Sequence, residues 1–139
     1  MPLKILILGD NADVRRHFKL LINAQPAWKV VGVMACEKAI AGSPLKHPPD
    51  VVIAELSRLD ASMVPLISTI RDKFGGSKLL AVSAQRDSRL VLRIIHAGAN
   101  GFMITDRASE ELAAAIKTIT TGGVFLSPGI AGLEGRRPI

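Results

Sequence analysis

A length of 139 residues, 48% of them hydrophobic, suits one globular domain with an ordinary core and argues against disorder. No apolar run approaches the ~20 residues that span a bilayer, the N-terminus lacks the sections of an export signal, and the single cysteine, Cys36, excludes an internal disulfide framework or a cysteine metal cluster. The formal charge of +6 is spread over Arg15-Arg16, Arg86, Arg89, Arg93 and Arg136-Arg137, with no Tyr and Trp28 as the only Trp, so charge alone does not make a nucleic-acid binder.

Apolar runs and helix-period segments alternate five times. Lys4-Ile5-Leu6-Ile7-Leu8 is continuous rather than alternating, as in a strand buried on both faces. Gly9-Asp10-Asn11 turns the chain, with Asp10 or Asn11 as helix N-cap, and Val14, Phe18, Leu21 and Ile22 follow at helical spacing. Gln25-Pro26 ends that helix. A second strand is expected over residues 29–34, then a short helix over 36–41, with Cys36 as a half-buried residue on it. The third strand is Val51-Val52-Ile53-Ala54-Glu55. Pro65 suits the first turn of the next helix, whose stripe is Leu66, Ile67, Ile70 and Phe74, and Gly75-Gly76 breaks it. Residues 78–83 form the fourth strand. Leu90, Val91, Ile94 and Ile95 mark the fourth helix, which ends at Gly98. Residues 101–104 form the fifth strand. The last helix starts near Ser109, shows Leu112, Ile116 and Ile119, and ends at Gly122-Gly123. Residues 1–122 are therefore expected as the domain, and the Gly- and Pro-containing residues 123–139 as a tail or linker.

A (βα)5 alternation with short loops predicts an α/β fold, one doubly wound parallel sheet in the flavodoxin-like order 2-1-3-4-5. Ligands bind such sheets outside the carboxyl ends of the strands. Asp10, Glu55, Ser83 and Thr105 are expected to converge there. His17, His47 and His96 lack metal-ligand spacing and are read as surface or helix-face residues.

From residue 3 to about 128 the chain resembles the receiver domains of two-component response regulators, and within them the NarL/LuxR-type branch. The likeness is carried by Ile5-Leu6-Ile7-Leu8-Gly9-Asp10, Pro49-Asp50-Val51-Val52-Ile53-Ala54-Glu55-Leu56, Ala97-Gly98-Ala99-Asn100-Gly101-Phe102 and Glu110-Glu111-Leu112-Ala113-Ala114-Ala115-Ile116. Gly122 and Phe125-Leu126-Ser127-Pro128 are characteristic of the branch. The resemblance implies two acidic residues after strand one that hold Mg²⁺, an aspartate ending strand three that accepts a phosphoryl group, a Ser/Thr ending strand four and a lysine ending strand five. Phosphoryl transfer needs in-line placement and neutralised oxygen charge, and Mg²⁺ needs octahedral oxygen ligands.

This chain departs from that pattern. Gly9 stands where the first acid belongs, leaving Asp10 as a weak metal ligand. Glu55 holds the phospho-acceptor position, one methylene longer, and Thr105 replaces the lysine. Arg107, two residues on, could swing back but is not counted on. Ser83 matches, and Phe102 matches the switch aromatic. Misplacement on the ångström scale can cost about 100-fold in rate. The expectation is a cytoplasmic pseudo-receiver with no catalytic residue and no cofactor, of a transcription regulator in a phosphorelay-type system, acting by phosphorylation-independent protein contact. Glu55 is either an acidic imitation of a phosphorylated aspartate, taking a hydrogen bond from Ser83, or a plain strand-end carboxylate in a decayed pocket. The alternatives are a working Mg²⁺-dependent phospho-acceptor using Glu55, and a small-molecule crevice anchored on Asp10, Glu55 and Ser83. Resemblance implies partners or a homodimer docking on helix 4, strand 5 and helix 5, with Arg86, Arg89 and Arg93, or on helices 1 and 5, with Arg15, Arg16 and Lys19. DNA contact would belong to a helix-turn-helix domain outside this chain, and no membrane contact is expected.

Overall fold

A computed structural model gives the fold and describes residues 2–42 and 45–130. The strands are β1 (Leu3–Gly9), β2 (Trp28–Met34), β3 (Val51–Glu55), β4 (Lys78–Ser83), β5 (Gly101–Ile104) and β6 (Phe125–Leu126). The helices are α1 (Ala12–Asn23), α2 (Cys36–Ala41), α3 (Met63–Lys73), α4 (Ser88–His96) and α5 (Ala108–Thr120), with a 3-10 turn over Thr105–Arg107 leading into α5. One sheet holds all the strands in the order β2-β1-β3-β4-β5-β6, and every pairing is parallel. The flavodoxin-like α/β order expected from the alternation is the order of the first five.

The continuous apolar runs follow from burial on both faces. Successive side chains of a strand point to opposite sides. Ile5, Ile7, Val51, Ile53, Leu80, Val82 and Met103 pack against Phe18 and Ile22 of α1 and Leu112, Ile116 and Ile119 of α5. Leu6, Leu8, Val52, Ala54, Leu79, Ala81, Phe102 and Ile104 face the other way, onto α2, α3 and α4. A half-covered sheet would have required polar residues at every second position.

Caps set the entry of two helices. The Asn11 side chain accepts from Asp13 N at 2.9 Å and Val14 N at 3.2 Å at the start of α1. Asp87 accepts from Arg89 N and Leu90 N at the start of α4. Of the two cap candidates for α1, Asn11 is the one used, which leaves the Asp10 carboxylate uncommitted.

The sheet runs past the expected boundary at residue 122. Phe125–Leu126 pair with Gly101 and Phe102, so the sheet has six strands rather than five. The Ser127 hydroxyl accepts from Ile104 N at 2.9 Å and donates to Glu111 Oε1 at 2.5 Å. Ile130 is fully buried. Residues 123–130 thus pack onto the domain instead of leading away from it as a linker; residues 131–139 lie outside the described residues. Gly101 permits this edge. A Cβ there would stand 3.0 Å from Phe125 O and 3.2 Å from Ile119 Cγ2.

Candidate functional site

The carboxyl ends of β1, β3 and β4 meet in register. Gly9 pairs with Glu55, and Glu55 with Val82. Ser83 pairs with Ile104 one step further along. Asp10 follows β1 and is exposed, Glu55 and Ser83 are buried at 6% and 0% exposure, and Thr105 opens the 3-10 turn, half-buried. The structure therefore brings together the strand-end set expected from the sequence, with Thr105 just beyond β5 rather than on it.

Glu55 leans toward β1. A Cβ at Gly9 would lie 2.9 Å from Glu55 Cβ and 3.2 Å from Glu55 Oε1. The Ser57 hydroxyl donates to Oε1 at 3.2 Å. Burial pushes the Glu55 carboxyl above its ordinary value, and the Asp10 charge adds to this; the Ser57 hydroxyl, the Asn11 backbone N–H and the Arg15 guanidinium oppose it.

The expected hydrogen bond from Ser83 to Glu55 is not formed. The Ser83 hydroxyl accepts instead from Gln85 N at 3.2 Å, bonding local backbone as a strand-end serine readily does. The Gln85 side-chain oxygen accepts from Leu59 N at 2.9 Å, which ties the loops after β3 and β4 together. Thr105 Oγ1 is buried and has no hydrogen-bond partner among the described residues. Phe102 is fully buried and turned inward against the α3–α4 side of the core.

Arg107 does not reach back to the pocket. Its Nε lies 3.3 Å from Glu110 and 3.1 Å from Glu111, because the 3-10 turn directs it along α5. The cation that does reach the site is Arg15, assigned from the sequence to a docking surface. Its Nη1 donates to Gly9 O, and the side chain is half-buried. Cys36 is a second residue not anticipated here. It is 3% exposed rather than half-buried, and burial, with the Asp10 and Glu55 charges, raises its thiol pKa to about 12. The available signal for Arg15 was its place in the first turn of α1, four residues after the Asn11 cap. His17, His47 and His96 are all exposed, and among the described residues no three His, Cys, Asp or Glu side chains gather as a metal-holding group.

Mg²⁺ asks for several oxygen ligands in tight octahedral geometry. Position 9 offers no side chain, Glu55 occupies the space one would need, and the Arg15 guanidinium, bonded to Gly9 O, adds positive charge that acts on Glu55. This residue set does not fit the ion.

A doubly wound parallel sheet in this order, with acidic, hydroxyl and aromatic positions at the carboxyl ends of its strands, defines a receiver-type domain. No family model matches the chain, but individual proteins do. It is 31% identical over 128 residues to the transcriptional regulatory protein UhpA of Escherichia coli, covering 91% of this chain and 63% of that protein. It is 29% identical over 128 residues to the oxygen regulatory protein NreC of Staphylococcus carnosus, covering 91% of this chain and 58% of that one. The chain thus spans roughly three fifths of the length of the curated relatives it matches. A solved LuxR-family two-component response regulator from Aurantimonas superposes with a TM-score of 0.80 at 26% identity over 94% of both chains. The isolated receiver domain of RcsB from Salmonella enterica shares the fold, with a TM-score of 0.77 at 18% identity, over 91% of this chain and 93% of that one. In sequence and in fold the chain is similar to the receiver domains of two-component response regulators, on the NarL/LuxR-type branch.

Proposed function

We propose that this receiver domain acts by protein–protein contact without taking up a phosphoryl group. The observation that carries the reading is the placement of Glu55. Its carboxylate is buried, bonded by Ser57 and laid against Gly9, and it forms no hydrogen bond with the Ser83 hydroxyl, which accepts from Gln85 N instead. An acceptor needs a free oxygen in line with the donor, a metal and a hydroxyl on the transferred group. The same geometry favours a held strand-end carboxylate over an imitation of a phosphorylated aspartate. No residue is assigned a catalytic role.

The contact surface in this reading is α4 with its neighbours. Arg86, Arg89 and Arg93 are exposed, and none of them forms a salt bridge among the described residues. An acidic partner complements such a stripe. On the α1 side the basic surface is smaller than expected, since Arg15 turns into the pocket and Arg16 pairs with Asp13 at 3.5 Å. The name of the relative UhpA, a transcriptional regulatory protein, supports a place in a transcription regulator. No helix among the described residues is long and apolar enough to cross a membrane.

Intact-mass measurement after incubation with acetyl phosphate and Mg²⁺ tests the reading, with Glu55→Asp alongside. The expected result is no adduct on the native chain. An adduct there overturns the reading and makes Glu55 a phospho-acceptor.

A further inference from the structure

We propose that Arg15 is the resident cation of the strand-end pocket: anchored on the Gly9 carbonyl, its guanidinium balances Asp10 and Glu55 in place of a divalent ion and closes the site to metal. This rests on the phosphorylation-independent reading and deepens it, since it says what holds two neighbouring carboxylates together without Mg²⁺.

Helix geometry delivers the residue. Asn11 caps α1, and Arg15 N bonds Asn11 O at 3.0 Å, so Arg15 stands one turn into the helix beside the end of β1. Gly9 is the last residue of β1, and its carbonyl accepts from Arg15 Nη1. Arg15 forms no salt bridge among the described residues, whereas its neighbour Arg16 pairs with Asp13. Its charge is free to act through space, and it opposes the Asp10 and Glu55 charges at both Glu55 and Cys36.

A guanidinium suits this role. It stays charged at any physiological pH and is more weakly hydrated than a compact cation, so half-burial is tolerable. Mg²⁺ dehydrates reluctantly and demands near-ideal geometry. An ion entering here would meet a fixed positive charge, one free carboxylate and no ligand from position 9. The loss of the first acid and the presence of Arg15 are then two parts of one arrangement.

The test is thermal melting in EDTA and in millimolar Mg²⁺, with Mn²⁺ binding by electron paramagnetic resonance, on the full chain and on Arg15→Ala and Arg15→Lys. The native chain is expected to melt at one temperature in both buffers. Arg15→Ala should melt lower in EDTA, recover with Mg²⁺, and bind Mn²⁺ at least about tenfold more tightly than the native chain. Arg15→Lys should keep the native indifference to metal because it keeps a charge. A native chain that binds Mn²⁺ as tightly as Arg15→Ala overturns the proposal, as does an Arg15→Ala chain whose melting ignores metal. Should Arg15→Ala fail to fold, Arg15→Gln is read by Mn²⁺ binding in its place, and native-like binding by it counts against the proposal. A phosphoryl adduct on the native chain would remove the underlying reading, whereas metal-indifferent Arg15→Ala without an adduct removes the role of Arg15 alone.

Discussion

Gly9 and Glu55 are coupled by distance. Any side chain at position 9 begins with a Cβ 2.9 Å from Glu55 Cβ, closer than real Cβ contacts. Gly9→Ala should therefore destabilise by about 1–3 kcal/mol, the range for overpacking a tight site, as measured by denaturant unfolding. Putting back an acid at this position does not by itself restore a receiver pocket. Glu55 gives a pH prediction with a definite sign. Its folded pKa is raised, mainly by burial, so the folded state holds the proton more tightly than the unfolded one. The cost to stability is absent below the ordinary value of 4.5, grows as pH climbs through the raised folded value, and is complete above it. Glu55→Gln, which can still accept from Ser57, should melt above the native chain near neutrality and lose that advantage below pH 4.5. An advantage that persisted unchanged into acid would point away from burial of the charge. Cys36, with a thiol raised to about 12 and 3% exposure, should resist a disulfide-exchange reagent in the folded chain and react once it is unfolded.

At the scale of elements, the C-terminal edge was the part hardest to read. A two-residue strand such as Phe125–Leu126 has no periodicity to detect, and the glycines and proline around it look like a linker. Phe125-Leu126-Ser127-Pro128 was legible as a branch marker but not as a strand. What holds it is polar and non-local. Ser127 N donates to Phe102 O at 3.0 Å, its hydroxyl bridges Ile104 N and Glu111, and Arg107 Nε holds the other Glu111 oxygen at 3.1 Å. Ser127→Ala would leave a buried N–H and a nearly buried carboxylate without this partner. The expected cost is about 1–3 kcal/mol, with faster hydrogen exchange at Ile104. Cutting the chain after residue 122 should cost more than cutting after 130, since only the first cut also removes β6 and the buried Ile130. Equal stability of the two truncations in urea would mean that the edge contributes nothing.

For the molecule as a whole, the strands were legible because both sheet faces are covered, so that Ile5-Leu6-Ile7-Leu8 and Val51-Val52-Ile53-Ala54 are unbroken apolar runs. Strand ends followed from strand bounds, and Asp10, Glu55 and Ser83 with them. The direction of a side chain did not follow. Whether Glu55 turns to Gly9 or to Ser83, and whether Arg15 faces solvent or the pocket, is decided by spacing between strands that no local pattern encodes. Charge distribution over the surface now bears on association. The net charge is +6, and α4 presents Arg89 and Arg93, with Arg86 just before its cap, without salt-bridge partners among the described residues. A second copy docking through this face would set like charges against each other, which costs free energy unless salt screens them. An acidic partner meets the opposite sign and gains most at low salt. The chain alone should therefore sediment as a monomer at low ionic strength, with any dimer through α4 forming only as salt rises. Arg89→Glu combined with Arg93→Glu should leave melting nearly unchanged, because both side chains are exposed. A dimer that is tightest at the lowest salt and is lost in that double variant would make the α4 stripe a self-association surface and end the case for an acidic partner there.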